Sequence, residues 1–376
     1  MPAAQLRLQR LALHQFRSYA SLVWHPDRRI SVITGPNGAG KTNLLEAVSL
    51  LGPGRGLRGA RVAEFSRFGP DGDGTWAVAG RFQHPIEGLL EIATGTAAEG
   101  LPERRIFRLD GRPVAQAAAA RRIAVAWLTP EMGRLFQEGA AARRRFLDRL
   151  VYSLEPGHAR ELAGFEAAMT RRNRLLAGPA PDPAWLAGLE EAMARHGVAV
   201  AAARRLLTIA LTRVLPAAAP GFPGIELTLA GAISERLASH PALAVEEWLA
   251  WQLAARRPAD KEAGGASLGV HRSDLIVRIG AMGMPANRAS TGEQKVLLLS
   301  LVLAEAALLA ERYGFAPLLL LDEPLANLDG ARRAALFAIL AAMNSQVLLT
   351  GTDAEPFRPL ASQAEFLRAG ASRLVI

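Results

Sequence analysis

Gly35-Pro36-Asn37-Gly38-Ala39-Gly40-Lys41-Thr42 fits the spacing G-x-x-x-x-G-K-[ST]. Apolar Arg29–Thr34 precedes it as a strand, and Asn43–Leu51 follows in helical phase. Glycines at these places let backbone amides face phosphate oxygens, and the helix start adds its dipole. Lys41 is placed to reach the outer phosphates, and the Thr42 hydroxyl to ligate Mg²⁺. The alternative is a Gly-rich turn that merely caps a helix. Lysine is scarce in this chain, which has only Lys41, Lys261 and Lys295. Its retention in a basic set that is otherwise arginine favours the phosphate reading, because a compact ammonium fits where a guanidinium does not.

Working outward, the next chemistry lies near the C-terminus. Leu318-Leu319-Leu320-Leu321 reads as a buried strand that delivers Asp322 and Glu323 at its C-terminal end, where open α/β sheets bind ligands. Asp322 is the candidate Mg²⁺ ligand beside Thr42, and Glu323 the candidate base for the attacking water. About 30 residues earlier, Ser290-Thr291-Gly292-Glu293-Gln294-Lys295 opens an apolar helix. Ser290 and Glu293 are also spaced as an ordinary capping box, and a capped helix start is itself an anion site, so the two readings stand together. After Glu323 comes Pro324-Leu325-Ala326-Asn327-Leu328-Asp329. In this order and spacing the segments resemble the P-loop, signature, Walker B and D-loop of ABC-type ATPases. That resemblance implies ATP and Mg²⁺ as cofactors and a γ-phosphate contact from Ser290 and Gly292 to a second copy. Lys41, Asp322 and Glu323 become the catalytic set, and Asp329 a contact to the other subunit.

The 376 residues are 50% hydrophobic and 21% charged, enough for a core and for two or three domains. A net charge of +9 favours a polyanionic partner. No cysteine is present, which excludes disulfides and thiolate chemistry. The longest apolar run, Val296–Ala310, contains Glu305 and is shorter than a membrane span. The first residues lack the apolar core of a secretory signal, so a cytoplasmic protein with no membrane partner is expected.

The organisation reads as α/β, an ABC-type P-loop ATPase head with an inserted α-helical arm domain. Residues 1–131 form the N-terminal part of the head. Its expected strands are Leu6–Phe16, Trp76–Phe82, Gly88–Thr94, Arg104–Val114 with a turn at Asp110-Gly111, and Ile123–Leu128. Residues 132–265 form the arm, with helices expected over Gly139–Leu154, Pro156–Leu176, Pro183–Leu215 and Ala242–Arg257, the third capped by Asp182 and open to interruption at Gly197. Pro258–Ser267 reads as a loop. Residues 266–376 complete the head, with helices at Ser290–Tyr313 and Ala331–Met343 and strands at Pro317–Leu321 and Gln346–Thr350.

Lys41 and Ser290 lie 249 positions apart, too far for a compact transporter subunit and too near for the coiled coils of chromosome-condensing proteins. The runs LALHQFRSY (Leu11–Tyr19), GPNGAGKTNLLEAV, GRGLRG (Gly54–Gly59), LTPE (Leu128–Glu131), RRRFLDRL (Arg143–Leu150), GVHRSDL (Gly269–Leu275) and STGEQK together resemble the RecF family, whose heads are related to the SMC type. The resemblance covers nearly the whole chain. It implies an ATP-dependent homodimer that binds single- and double-stranded DNA at gaps and works with RecR and RecO. It further implies support for RecA loading, replication restart and SOS induction with slow hydrolysis. Arg17 is expected near the nucleotide, and His271 is singled out by the family motif alone. Departures from the ABC pattern are Thr291 and Glu293 in the signature, Thr350-Gly351-Thr352-Asp353 where a switch histidine is usual, so that a γ-phosphate sensor is either missing or replaced by Thr352, and Thr129-Pro130-Glu131 at the Gln-loop position. They suggest a switch more than a motor. Candidate DNA contacts are three clusters: Arg55, Arg58 and Arg61; Arg143, Arg144 and Arg145; Arg171, Arg172 and Arg174, each of which is otherwise a solvated face. The competing functions are a transporter-powering subunit, disfavoured by the arginine-rich insertion, and a non-hydrolysing clamp, disfavoured by Glu323.

Overall fold

A computed structural model describes residues 4–68, 74–96, 105–281, 283–370 and 373–375. Arg104, expected to begin a strand, lies outside the described residues. The chain divides into two compact units, one of Met1–Gly133, Val214–Pro223 and Ala289–Ile376, the other of Arg134–Arg213 and Gly224–Arg288.

The first unit holds two six-stranded sheets. The central one runs Arg373–Val375, Ala364–Gly370, Ile30–Thr34, Val347–Gly351, Leu318–Leu321, Val125–Leu128, parallel except at its first pair. Four of these strands are buried along their whole length. This is why they are unbroken apolar runs, since a parallel sheet is covered on both faces. Each buried leucine contributes about 1.5–3 kcal/mol relative to exposure. The order sets Val347–Gly351 between the strand that leads into the phosphate loop and the strand that ends at Asp322. The C-terminal ends of all three meet on one edge.

The second sheet is an antiparallel meander around Arg7–Phe16, completed by Tyr19–Trp24, Ala77–His84, Gly88–Thr96, Arg105–Leu109 and Arg112–Val114. Gln346 ties the sheets together, its side-chain amide exchanging hydrogen bonds of 2.7 and 3.1 Å with the Leu8 backbone. Helix Lys41–Leu51 packs on the meander. At Gly80 a Cβ would stand 2.5 Å from Leu51 Cδ1, so only glycine admits the helix this closely.

The second unit contains helices Ala140–Leu154, His158–Ala177, Ala232–Arg236, Ala242–Ala255 and Arg257–Glu262, with most of the 36-residue helix Pro183–Ala218. Asp182 begins that helix, accepting from the Ala184 amide at 2.8 Å. The helix passes Gly197 without interruption and continues through Pro216. Arg257–Glu262 is helical where a loop was expected, with Pro258 at a first-turn position that needs no N–H donor. Phe165, Met193, Val198, Val245, Leu249 and Leu253 form the core. The unit extends to Arg288, past the boundary expected at residue 265. The reason is that Asp274–Ile279 pairs antiparallel with Ile225–Ala230 along its whole length.

Candidate nucleotide-binding site

The phosphate loop follows Ile30–Thr34 directly. Gly35, Gly38 and Gly40 have φ of 147°, 81° and 95°, a region that L side chains rarely adopt. A Cβ at Gly35 would lie 2.3 Å from the Ala369 carbonyl oxygen, and one at Gly40 2.8 Å from Ser18 Oγ. Pro36, Asn37 and Ala39 complete the turn, with the Ala39 amide donating to Pro36 O at 3.2 Å. The Tyr19 hydroxyl donates to Gly40 O at 3.1 Å, and burial pushes its pKa up to about 12. It therefore stays a donor.

Lys41 is buried, and its ammonium donates to Gly35 O at 2.6 Å and Pro36 O at 2.9 Å. The Thr42 hydroxyl donates to Asp322 Oδ2 at 2.7 Å, joining loop and carboxylate strand across 280 positions of sequence. Thr350, on the strand between them, donates to Asp322 Oδ1 at 2.5 Å and accepts from the Glu323 amide at 2.9 Å. Thr350 is a neighbour of both Asp322 and Glu323 that sequence reasoning missed. Its only signal is a lone hydroxyl at the end of an apolar strand. Glu323 itself has φ 49°, and Lys295 donates to its carbonyl at 3.1 Å. Burial pulls the Lys295 ammonium down to about 8, against the pull of Asp322 and Glu323, which raise it. A pocket lined by Glu323, Thr350, Thr352, Asp353 and Arg333 opens beside the Glu323–Ala326 turn.

Ser290 caps helix Thr291–Tyr313 with both halves of a capping box: its Oγ accepts from the Glu293 amide at 3.3 Å, and its own amide donates to Glu293 Oε2 at 2.8 Å. The hydrogen bonds from Ser290 hold the Glu293 carboxyl below its ordinary pKa. Gly292 faces the turn after Glu323; a Cβ there would stand 2.7 Å from Asn327 O. Asp329 caps helix Gly330–Ala342 by accepting from the Arg332 amide at 2.8 Å. Lys41, Thr42, Asp322 and Glu323 thus share one edge of the central sheet, while Ser290, Gly292 and Asp329 sit at helix starts around the turn that follows it.

Arg17 is committed to Glu46 of the loop helix, with two bonds of 2.9 Å, and Arg58 shares the same carboxylate at 3.0 Å. Of the three arginine clusters, Arg55, Arg58 and Arg61 are exposed together, while the other two each include members committed to partners within the chain. Arg172 is fully buried between Glu190 and Asp260, at 2.9 and 2.8 Å, which corrects its reading as a surface contact. Arg143 grips both oxygens of Asp274 at 2.8 Å. Arg144 donates to Ser273 O at 2.7 Å. Arg55, Arg58, Arg61, Arg145, Arg171 and Arg174 are exposed. His271 Nε2 lies 2.9 Å from Ala266 O, and burial lowers the pKa of its ring.

A model of the AAA domain family matches residues 10–55, which span the strand, loop and helix of the phosphate site. The DNA replication and repair protein RecF of Mesorhizobium japonicum is 47% identical over 373 residues, covering 98% of this chain and 97% of the relative. That of Agrobacterium fabrum is 44% identical over 369 residues, with 97% of each covered. A solved structure of the recombination mediator protein RecF with ATPrS, in the RecFOR pathway, is similar at TM-score 0.84 and 21% identity, covering 99% of this chain and 98% of that one. The Smc head domain of Pyrococcus furiosus, bound to the C-terminal domain of ScpA, is similar at TM-score 0.55 and 15% identity, covering 98% of this chain and 96% of that one. The fold is that of an ABC-type P-loop ATPase head. Among the described residues no helix is long and apolar enough to cross a membrane.

Proposed function

The chain belongs to the RecF family of DNA replication and repair proteins, and on that footing we propose that it is an ATP-dependent, DNA-binding recombination mediator that dimerises on ATP. The observation that carries the reading is the unbroken chain Thr42–Asp322–Thr350–Glu323 amide, which links the phosphate loop to the base that would act on its nucleotide.

The residues fit Mg²⁺·ATP. A hydroxyl and a carboxylate oxygen 2.7 Å apart are hard donors, and no group of three or more His, Cys, Asp or Glu among the described residues is placed to hold a metal. Magnesium takes one or two protein ligands and leaves the rest to water and phosphate, so Thr42 and Asp322 would hold it. When bound, it neutralises charge on the phosphates. Lys41 exchanges its two carbonyl partners for phosphate oxygens, and the amides of Gly38 to Thr42 cradle the same groups. Glu323 takes the proton of the attacking water as that oxygen bonds the γ-phosphorus and the bridge to ADP breaks. Ser290 and Gly292, at the start of a 23-residue helix, bind the γ-phosphate held by a second copy, and Asp329 contacts that copy.

With Thr352 in place of a switch histidine, hydrolysis is slow, and ATP acts as a clasp that releases after turnover. The exposed arginines Arg55, Arg58, Arg61, Arg145, Arg171 and Arg174 face gapped single- and double-stranded DNA in the cytoplasm. RecR and RecO are the partners in RecA loading, with SOS induction downstream. Light scattering on Glu323→Gln with ATP, Mg²⁺ and a gapped duplex tests this: a stable dimer mass that collapses when ATP is withheld is expected. A monomer under every condition rejects the clasp.

A further inference from the structure

Lys295 is one of three lysines in a chain that otherwise uses arginine, and the signature reading gives it no role. It leaves helix Thr291–Tyr313 one turn from the start, is buried, and donates to the Glu323 carbonyl at 3.1 Å. The peptide it holds is unusual. Glu323, at φ 49°, and Asn327, at φ 62°, are two of five described non-glycine residues with positive φ. Both touch the same stretch of helix, for Gly292 lies against the Asn327 carbonyl so closely that a Cβ would stand 2.7 Å away. On the other side of Glu323, its amide is fixed by Thr350 at 2.9 Å. A left-handed backbone at a glutamate relaxes unless its neighbours over-determine it. Here the amide is held by the central sheet, and the carbonyl by the signature helix at 3.1 Å and, more weakly, by the Ala326 amide at 3.4 Å.

We propose that Lys295 is a positioning residue whose ammonium holds the Glu323 backbone in its left-handed conformation and so aims the hydrolytic carboxylate, tying the signature helix to Glu323 within one chain. The proposal rests on the reading of Glu323 as the base. A single carbonyl is suited to a compact ammonium on a flexible stem.

The test is Lys295→Met, which keeps length and burial but loses the donor, assayed for ATP binding and turnover on the full chain with Mg²⁺ and gapped duplex, together with its crystal structure. Misplacing a reacting group by about 1 Å costs about a hundredfold, so kcat is expected to fall by about that much. The ATP dissociation constant stays within about twofold, the pattern of a group that matters only in the transition state. In the crystal, Glu323 leaves positive φ. Lys295→Gln, polar but too short for the bond, gives the same reading should the Met variant fail to fold. Wild-type kcat, or Glu323 still at positive φ without the Lys295 donor, overturns the proposal. A wild-type chain that binds ATP without hydrolysing it would sink the reading of Glu323 as base, while the φ of Glu323 in the variant would still decide whether Lys295 holds it.

Discussion

In the ATPase head, the buried charges of the site meet carbonyls and hydroxyls; in the helical arm, buried charges meet one another. Lys41 donates to two loop carbonyls, and Asp322 accepts from two threonines. Arg172 lies between Glu190 and Asp260, while Arg204 takes both oxygens of Asp148 at 2.7 and 2.8 Å. Carbonyls and hydroxyls are partners that a phosphate or a cation displaces readily. Fully charged partners in a dry core are not, because losing one strands the other. The first arrangement is poised for ligands and the second is architecture.

The sharpest way to break this contrast is to remove one cation from each region. Lys41→Ala is expected to weaken ATP binding at least about a hundredfold, equivalent to about 2.7 kcal/mol, with little change in melting temperature. Arg172→Met is expected to do the reverse. Breaking a buried pair costs about 3–5 kcal/mol. The lower end applies here, since Arg257 still pairs Glu190 at 2.6 Å and Ser267 still donates to Asp260 at 2.7 Å. Nucleotide affinity of the folded fraction should be unchanged. Calorimetric titration beside thermal melts checks both; a stability loss for Lys41→Ala, or an ATP-binding loss for Arg172→Met, would erase the distinction.

The site's components are legible in the sequence because each is local. Gly35–Thr42 contains its own geometry, and Leu318–Leu321 followed by Asp322 and Glu323 announces both its burial and its end. What joins them is not legible. Thr350 reaches Asp322 and Glu323 only because the sheet order sets its strand between two others that are distant in the chain. Lys295 reaches Glu323 across 28 positions from a helix, a tertiary contact that no local pattern announces. Strands Tyr19–Trp24 and Ala364–Gly370 also escape a reading by pattern, being mixed in burial and lacking a continuous apolar run. The arm does carry a local signal. Phe165, Ala168, Arg172 and Leu176 are buried at spacings of three and four, so helical phase alone places Arg172 on the apolar face while Arg171 and Arg174 point outward.

That helical phase gives a smaller, finer test of the same contrast. Arg171 and Arg174, with Glu166 and Thr170, line a shallow surface groove. Replacing both by alanine should change stability by no more than about 0.5 kcal/mol. If both neutralise duplex phosphates, the slope of log K against log salt should become shallower by about 0.9 for each phosphate left unneutralised. Filter binding across a salt series measures it, and an unchanged slope would take this groove off the DNA path.

The central claim is that each ATP is held by the phosphate loop of one copy and the signature of another. The most direct measurement mixes Lys41→Ala with Ser290→Arg, each inactive alone, and follows ATP turnover. A mixed dimer gathers both defects in one site and leaves the other with an intact loop and an intact signature. With free exchange and independent sites, an equal mixture makes roughly half the dimers mixed, so about a quarter of wild-type activity should return. If mixed dimers form, as shown by a tag carried on one variant, and turnover stays at the level of either variant alone, the shared site is contradicted and Ser290 serves only its own helix.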